Sequence, residues 1–181
     1  KDPKVDIQVA LALMKIKPET AFKAANAALE TARRNNHPLT PLFYVGQALA
    51  AKQVGELETG EDSINKALQY WNNEPRWYAL AAELSRDYST SVEYFRKAIE
   101  LEPEYLGHFF ALGKHHLNAK QSLAAIKCFE KALTINPEHI ESWIQLSFAK
   151  QSLHRNADAL ANINQALNLA PDHKEVRKAA A

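Results

Sequence analysis

Apolar residues recur along this chain at three- and four-residue intervals, the spacing of one face of an α-helix. Trp77, Leu80 and Ala81 stand at i, i+3 and i+4, and Phe109, Leu112 and Gly113, then Trp143, Leu146 and Ser147, repeat that set. A second set follows each one. Ser91, Phe95 and Ala98, then Ala125, Phe129 and Ala132, then Ala159, Ile163 and Ala166, lie at i, i+4 and i+7, one face of a second helix. Pro103, Pro137 and Pro171 close the phrases Lys97–Pro103, Lys131–Pro137 and Gln165–Pro171, and successive prolines are 34 residues apart. Proline disfavours helical geometry in the residue before it, so each second helix is predicted to stop there. The pattern predicts an all-α chain of tandem helical hairpins.

The period and these residues resemble the tetratricopeptide repeat, whose Trp-Leu-Gly-Tyr…Ala-Phe…Pro pattern spans 34 residues. Small residues suit the arrangement physically. Ala81, Gly113 and Ser147 let the first helix of a pair approach the second, and Ala98, Ala132 and Ala166 do so where one hairpin stacks on the next. The resemblance implies a right-handed α-α superhelix, a solenoid of about five hairpins with a C-terminal capping helix, because a terminal repeat needs a solvent-facing cover. Residues 1–181 are expected to form a single domain. Its clear repeats are 74–105, 106–139 and 140–173, its divergent hairpins 4–37 and 38–73, and its capping helix 172–181. In the divergent part, Ile7, Ala10, Leu11 and Met14 predict a helix, and Pro18 suits the first turn of the next, which carries Ala21, Ala25 and Ala28. Asn35 to Pro38 ends that pair. Leu42, Val45, Gly46 and Leu49 read as a first helix and Ile64, Ala67 and Leu68 as its partner, with a connection around Gly55 to Gly60 about two residues longer than standard.

Composition narrows the function classes. Hydrophobic residues make up 46% of the chain, which argues against disorder. Twenty-two basic residues against 21 acidic ones leave a net charge of +1, so no nucleic-acid partner is expected. Cys128 is the only cysteine, which excludes an intramolecular disulfide and a Cys-rich zinc site and suits a small buried residue. No apolar run approaches the ~20 residues of a membrane span. With no signal peptide and no Asn-x-Ser/Thr sequon, the cytoplasm is the expected compartment, although a start at Lys1 also suits a processed form or a fragment.

The residues offer little catalytic chemistry. His115 and His116 point about 100° apart on a helix, and no His pair at i, i+4 brackets a Glu, so no metal is expected. Gly-x-Ser-x-Gly, P-loop and Gly-x-Gly-x-x-Gly patterns are missing, and five glycines cannot build phosphate-cradling loops. Glu56, Glu58, Glu61 and Asp62 read as a solvated turn and helix start. No cofactor and no enzymatic activity are expected.

The resemblance further implies a concave groove lined by the first helix of each hairpin. Its positions fall here on Tyr78, Ala82, Ser85 and Arg86, on Phe110, Lys114, Leu117 and Asn118, and on Ile144, Phe148, Gln151 and Ser152, with Phe43 and Gln47 further upstream. The Lys-Asn-Arg set with which some family members clamp an acidic chaperone tail is absent, as is an asparagine ladder. The expected function is a protein–protein interaction scaffold that binds a partner protein or peptide segment through apolar anchors and one acidic group. A self-associating homodimer, or a substrate-recruiting arm of a larger enzyme, is the alternative.

Overall fold

Proline opens three of the helices, where its missing N–H would have had no intrahelical partner and its fixed φ already suits the turn. The structure, a computed structural model, describes residues 17–180. Its helices are α1 Pro18–Arg34, α2 Thr40–Val54, α3 Leu57–Leu68, α4 Pro75–Leu84, α5 Tyr88–Leu101, α6 Leu106–Asn118, α7 Ser122–Ile135, α8 Ile140–Gln151, α9 Asn156–Leu169 and α10 Lys174–Ala180. No strand occurs among the described residues, as the hydrophobic period requires. The helix predicted from Ile7, Ala10, Leu11 and Met14, and the last residue of the predicted cap, lie outside the described residues.

The chain divides into two compact units, Lys1–Leu101 and Glu102–Ala181. In the first, α2 packs against α1 and α3, and α4 against α3 and α5. The alanine stripe Ala21, Ala25, Ala28 and Ala32 of α1 is fully buried, and Phe43 and Ala50 of α2 join its cluster. Val45, Ala48, Ile64, Ala67, Leu80, Ala81 and Leu84 form the next. Phe43 is therefore core, 0% exposed, and Gln47 is tied to its neighbours, donating to Asn26 Oδ1 at 2.7 Å and accepting from Ser63 Oγ at 2.5 Å.

In the second unit α6 packs on α7, α7 on α8, α8 on α9 and α9 on α10. Ala125, Ile126, Phe129 and Leu133 of α7 meet Leu146 and Ala149 of α8, while Val176 of α10 is sealed against Ile144 and Ala166. Gly113 has a steric reason. A Cβ there would lie 2.6 Å from Cε1 of the Phe129 ring, so only glycine lets α6 close on α7. Trp77, Phe109 and Trp143 are half-buried. Arg76 lies over the Trp77 ring, Lys131 over that of Phe109, and Trp143 Nε1 donates to the Pro137 carbonyl at 2.8 Å.

Two local departures have physical causes. The connection after α2 is short rather than long. Gly55, at φ 81°, ends α2 with hydrogen bonds from Gly55 N to the Lys52 carbonyl and Glu56 N to the Ala51 carbonyl, and α3 begins at Leu57. Gly60 is thus inside α3 at the place Ser91 and Ala125 take in their helices, against Leu84. The second departure is the 32-residue step from Trp77 to Phe109. Lys120 and His154 close α6 and α8 in the left-handed conformation, whereas α4 stops at Leu84 and passes through an extended Ser85 instead. The Asp87 carboxylate then accepts from Thr90 N and from the Ser89 and Thr90 hydroxyls at 2.6–2.7 Å, capping α5.

Candidate functional site

Because α6 and α8 are first helices of successive hairpins, residues 34 apart fall on equivalent faces. Phe110 and Lys114 on α6 correspond to Ile144 and Phe148 on α8. These four residues, with Gln151, line one cleft of about 730 Å³ in the second unit. Its remaining lining is Glu141 and Gln145 of α8 and His173, Glu175, Lys178 and Ala179 at α10.

The floor is apolar. Ile144 is 6% exposed, Phe110 is half-buried with its ring centroid 5.9 Å from Phe129, and Phe148 keeps 41% of its surface in solvent. An edge-on His139 stands 5.1 Å from Phe110, and Lys114 Nζ lies 5.8 Å from the centroid of the same ring. His139 is the N-cap of α8. Its Nδ1 accepts from Ser142 N at 3.2 Å, and its Nε2 lies 3.5 Å from a Glu141 carboxylate oxygen. No ion pair joins Lys114, Lys178 or Glu175 among the described residues. His173 Nδ1 is buried without a hydrogen-bond partner among them.

The other expected groove residues fall elsewhere. Leu117 packs on the α7 cluster, and Asn118 is the exposed last residue of α6. Ser152, just past α8, bonds to Ser122 at 2.6 Å. Tyr78 sits in the first unit, 6.2 Å ring to ring from Tyr94, with Ala82 buried one turn on. Ser85 and Arg86 follow the end of α4 rather than lying on it. Ser85 donates to Glu61 at 3.1 Å, and the exposed Arg86 lies 3.3 Å from Glu61 and 3.7 Å from Glu58. Burial, and then the Glu61 charge, raise the Tyr94 hydroxyl above the usual range, and the hydroxyl donates to Asn65 at 2.8 Å.

Chemistry beyond binding is sparse. No group of three or more His, Cys, Asp or Glu residues could hold a metal ion among the described residues. Burial pushes the Cys128 thiol up to about 11, away from nucleophilic reactivity. No helix among them is long and apolar enough to cross a membrane.

A sequence profile described as the tetratricopeptide repeat matches residues 77–105 and 109–139. Those two segments are tetratricopeptide repeats. Solved structures agree with that assignment at the level of fold. MamA from Desulfovibrio magneticus RS-1 superposes with a TM-score of 0.79 at 16% identity, over 96% of this chain and 98% of that one. YrrB, described as a TPR protein with an unusual peptide-binding site, gives 0.71 at 18% identity over 96% and 89%. TTC0263, a thermophilic TPR protein of Thermus thermophilus, gives 0.70 at 16% over 97% and 95%. Among curated proteins no significant sequence match is found. The tetratricopeptide register also explains the cleft residues that the consensus positions missed. Glu175, Lys178 and Ala179 stand 34 residues after Glu141, Ile144 and Gln145, and His173 stands 34 after His139. Extending the period past Pro171 finds them.

Proposed function

We propose that this tetratricopeptide chain is a non-enzymatic interaction scaffold, and that the cleft of α6, α8 and α10 holds a segment of another protein. The observation that carries this is Phe148. An aromatic ring 41% exposed, in the interior of a well-packed helix, wastes contact area unless something covers it. Aromatic residues ringed by polar groups are the usual centres of binding energy, and Lys114, Gln145, Gln151 and Lys178 supply that ring here. The volume, about 730 Å³, suits a few side chains of a peptide. YrrB, similar in fold, is described as having a peptide-binding site, which favours the same class of ligand. Of the expected groove residues, Phe110, Lys114, Ile144, Phe148 and Gln151 make the contact. Tyr78, Arg86, Leu117 and Asn118 do not line the cleft.

Affinity capture on the intact chain, followed by titration of the retained protein, tests this. Phe148→Ala should weaken binding about tenfold or more, the scale of an interface hot spot, with an unchanged melting temperature. Wild-type affinity in Phe148→Ala would refute the assignment. Phe110→Ala should lower both affinity and melting temperature, because its ring also packs on Phe129.

A further inference from the structure

The cleft has a charge layout that specifies what its occupant must carry, and the inference rests on the proposed role of the cleft. One repeat position reads Phe110, Ile144 and Lys178 across α6, α8 and α10, and the next groove position reads Lys114 on α6 and Phe148 on α8. The apolar surface is therefore centred on α8, with one lysine on α6 and one on α10. Both lysines are exposed and lack ion-pair partners among the described residues. The acids of the cleft lie at a different repeat position, Glu141 and Glu175, and Glu141 is already beside His139. They disfavour a further acid along their own edge, and neither is ion-paired with either lysine.

We propose that the occupant is a short acidic–apolar–acidic segment of another protein, with apolar side chains on Ile144 and Phe148 and one side-chain carboxylate at each of Lys114 and Lys178. α6 touches α8 directly, and Val176 of α10 packs against Ile144 of α8. Helices in contact stand ~8–10 Å apart, so α6 and α10, on either side of α8, are separated by roughly 16–20 Å. An extended chain rises ~3.3 Å per residue and crosses that distance in about five or six residues. The two acids of the segment are therefore about that far apart in sequence, with the apolar anchors between them. One free C-terminal carboxylate cannot serve both lysines, so the acids are side chains within a chain.

Selection from a random peptide library displayed on phage, against the intact chain, tests the layout. Wild type should enrich peptides whose apolar residues are bracketed by Asp or Glu at that spacing. In synthetic versions of an enriched peptide, changing either acid to its amide should weaken binding roughly threefold, the scale of one exposed ion pair. K114E/K178E should enrich Lys or Arg at the same bracketing positions while circular dichroism reports an unchanged fold. Enriched peptides with apolar anchors and no acid preference would overturn the charge layout and leave the cleft standing. Acid preference confined to a free C-terminus would overturn the bracketing. Enrichment of no peptide at all would count against the cleft as a binding site, and with it against this inference.

Discussion

Gly113 and Gly60 are both helical glycines under contact, yet their surroundings differ in a way that can be measured. Alanine gains about 1 kcal/mol over glycine in an open helix. At Gly113 the new Cβ would meet three atoms of the Phe129 ring at 2.6–2.9 Å, and a buried ring yields poorly. At Gly60 the nearest atom is a Leu84 methyl at 2.7 Å, the end of a rotatable side chain. Gly113→Ala should therefore destabilise by about 1–3 kcal/mol, and Gly60→Ala by less, as read by thermal denaturation. Asp87 gives a pH-dependent counterpart. Hydrogen bonds from the Ser89 hydroxyl, and then from the Thr90 amide and hydroxyl, hold its carboxyl down at about 2. A folded-state value below the unfolded one means that the contribution to stability is complete above the unfolded range and is lost as pH falls toward about 2. Asp87→Asn should flatten part of the acid limb of a stability–pH curve. The Gly113 seam is legible in the sequence because small residues recur at that position in three hairpins. Gly60 reads as loop in the sequence because glycine alone does not distinguish a turn from a close approach.

At the level of the helices, the turns carry the testable differences. Lys120 at φ 59° and His154 at φ 59° occupy equivalent places after α6 and α8, in a conformation that costs a non-glycine residue roughly 1 kcal/mol. Lys120→Gly and His154→Gly should each stabilise the chain by up to about 1 kcal/mol in denaturant titrations. The same change at Ser85 should not, since Ser85 is extended and Asp87 organises that turn. No signal in a single sequence marks this exchange of turn types beyond the two-residue shortfall, so the family pattern puts Arg86 on a helix that ends before it. The last helix is legible as a cover but not as a wall of the cleft. Its seven residues are held by Val176, fully buried, and by Arg177, whose guanidinium bonds to the Pro171 carbonyl and Asp172. Val176→Ala should cost roughly 1–2 kcal/mol and speed hydrogen exchange in 174–180 more than elsewhere.

Taken whole, the chain is nearly neutral, and most ion pairs among the described residues are local and exposed. Exposed pairs contribute about 0–1 kcal/mol each and are screened by salt. Stability should therefore change little as ionic strength rises from low to high, whereas binding in a cleft flanked by Lys114 and Lys178 should weaken. Parallel salt series on melting temperature and affinity separate the two. The fold class is readable because the same seam recurs three times. Structures only 16–18% identical share the fold. The cleft is half readable: α6 and α8 supply residues at family positions, and α10 lies beyond the last proline that marks the repeat.

That numerical regularity makes the chain tolerant of copying. Duplicating the block 106–139 in frame would present α8 with the same α7 surface it meets now, and would bring its own Gly113–Phe129 contact with it. The product would be an extra hairpin rather than a disruption. Each added block would lay another Phe and another Lys beside the existing row, so tandem gain of sequence would lengthen the proposed recognition surface one hairpin at a time.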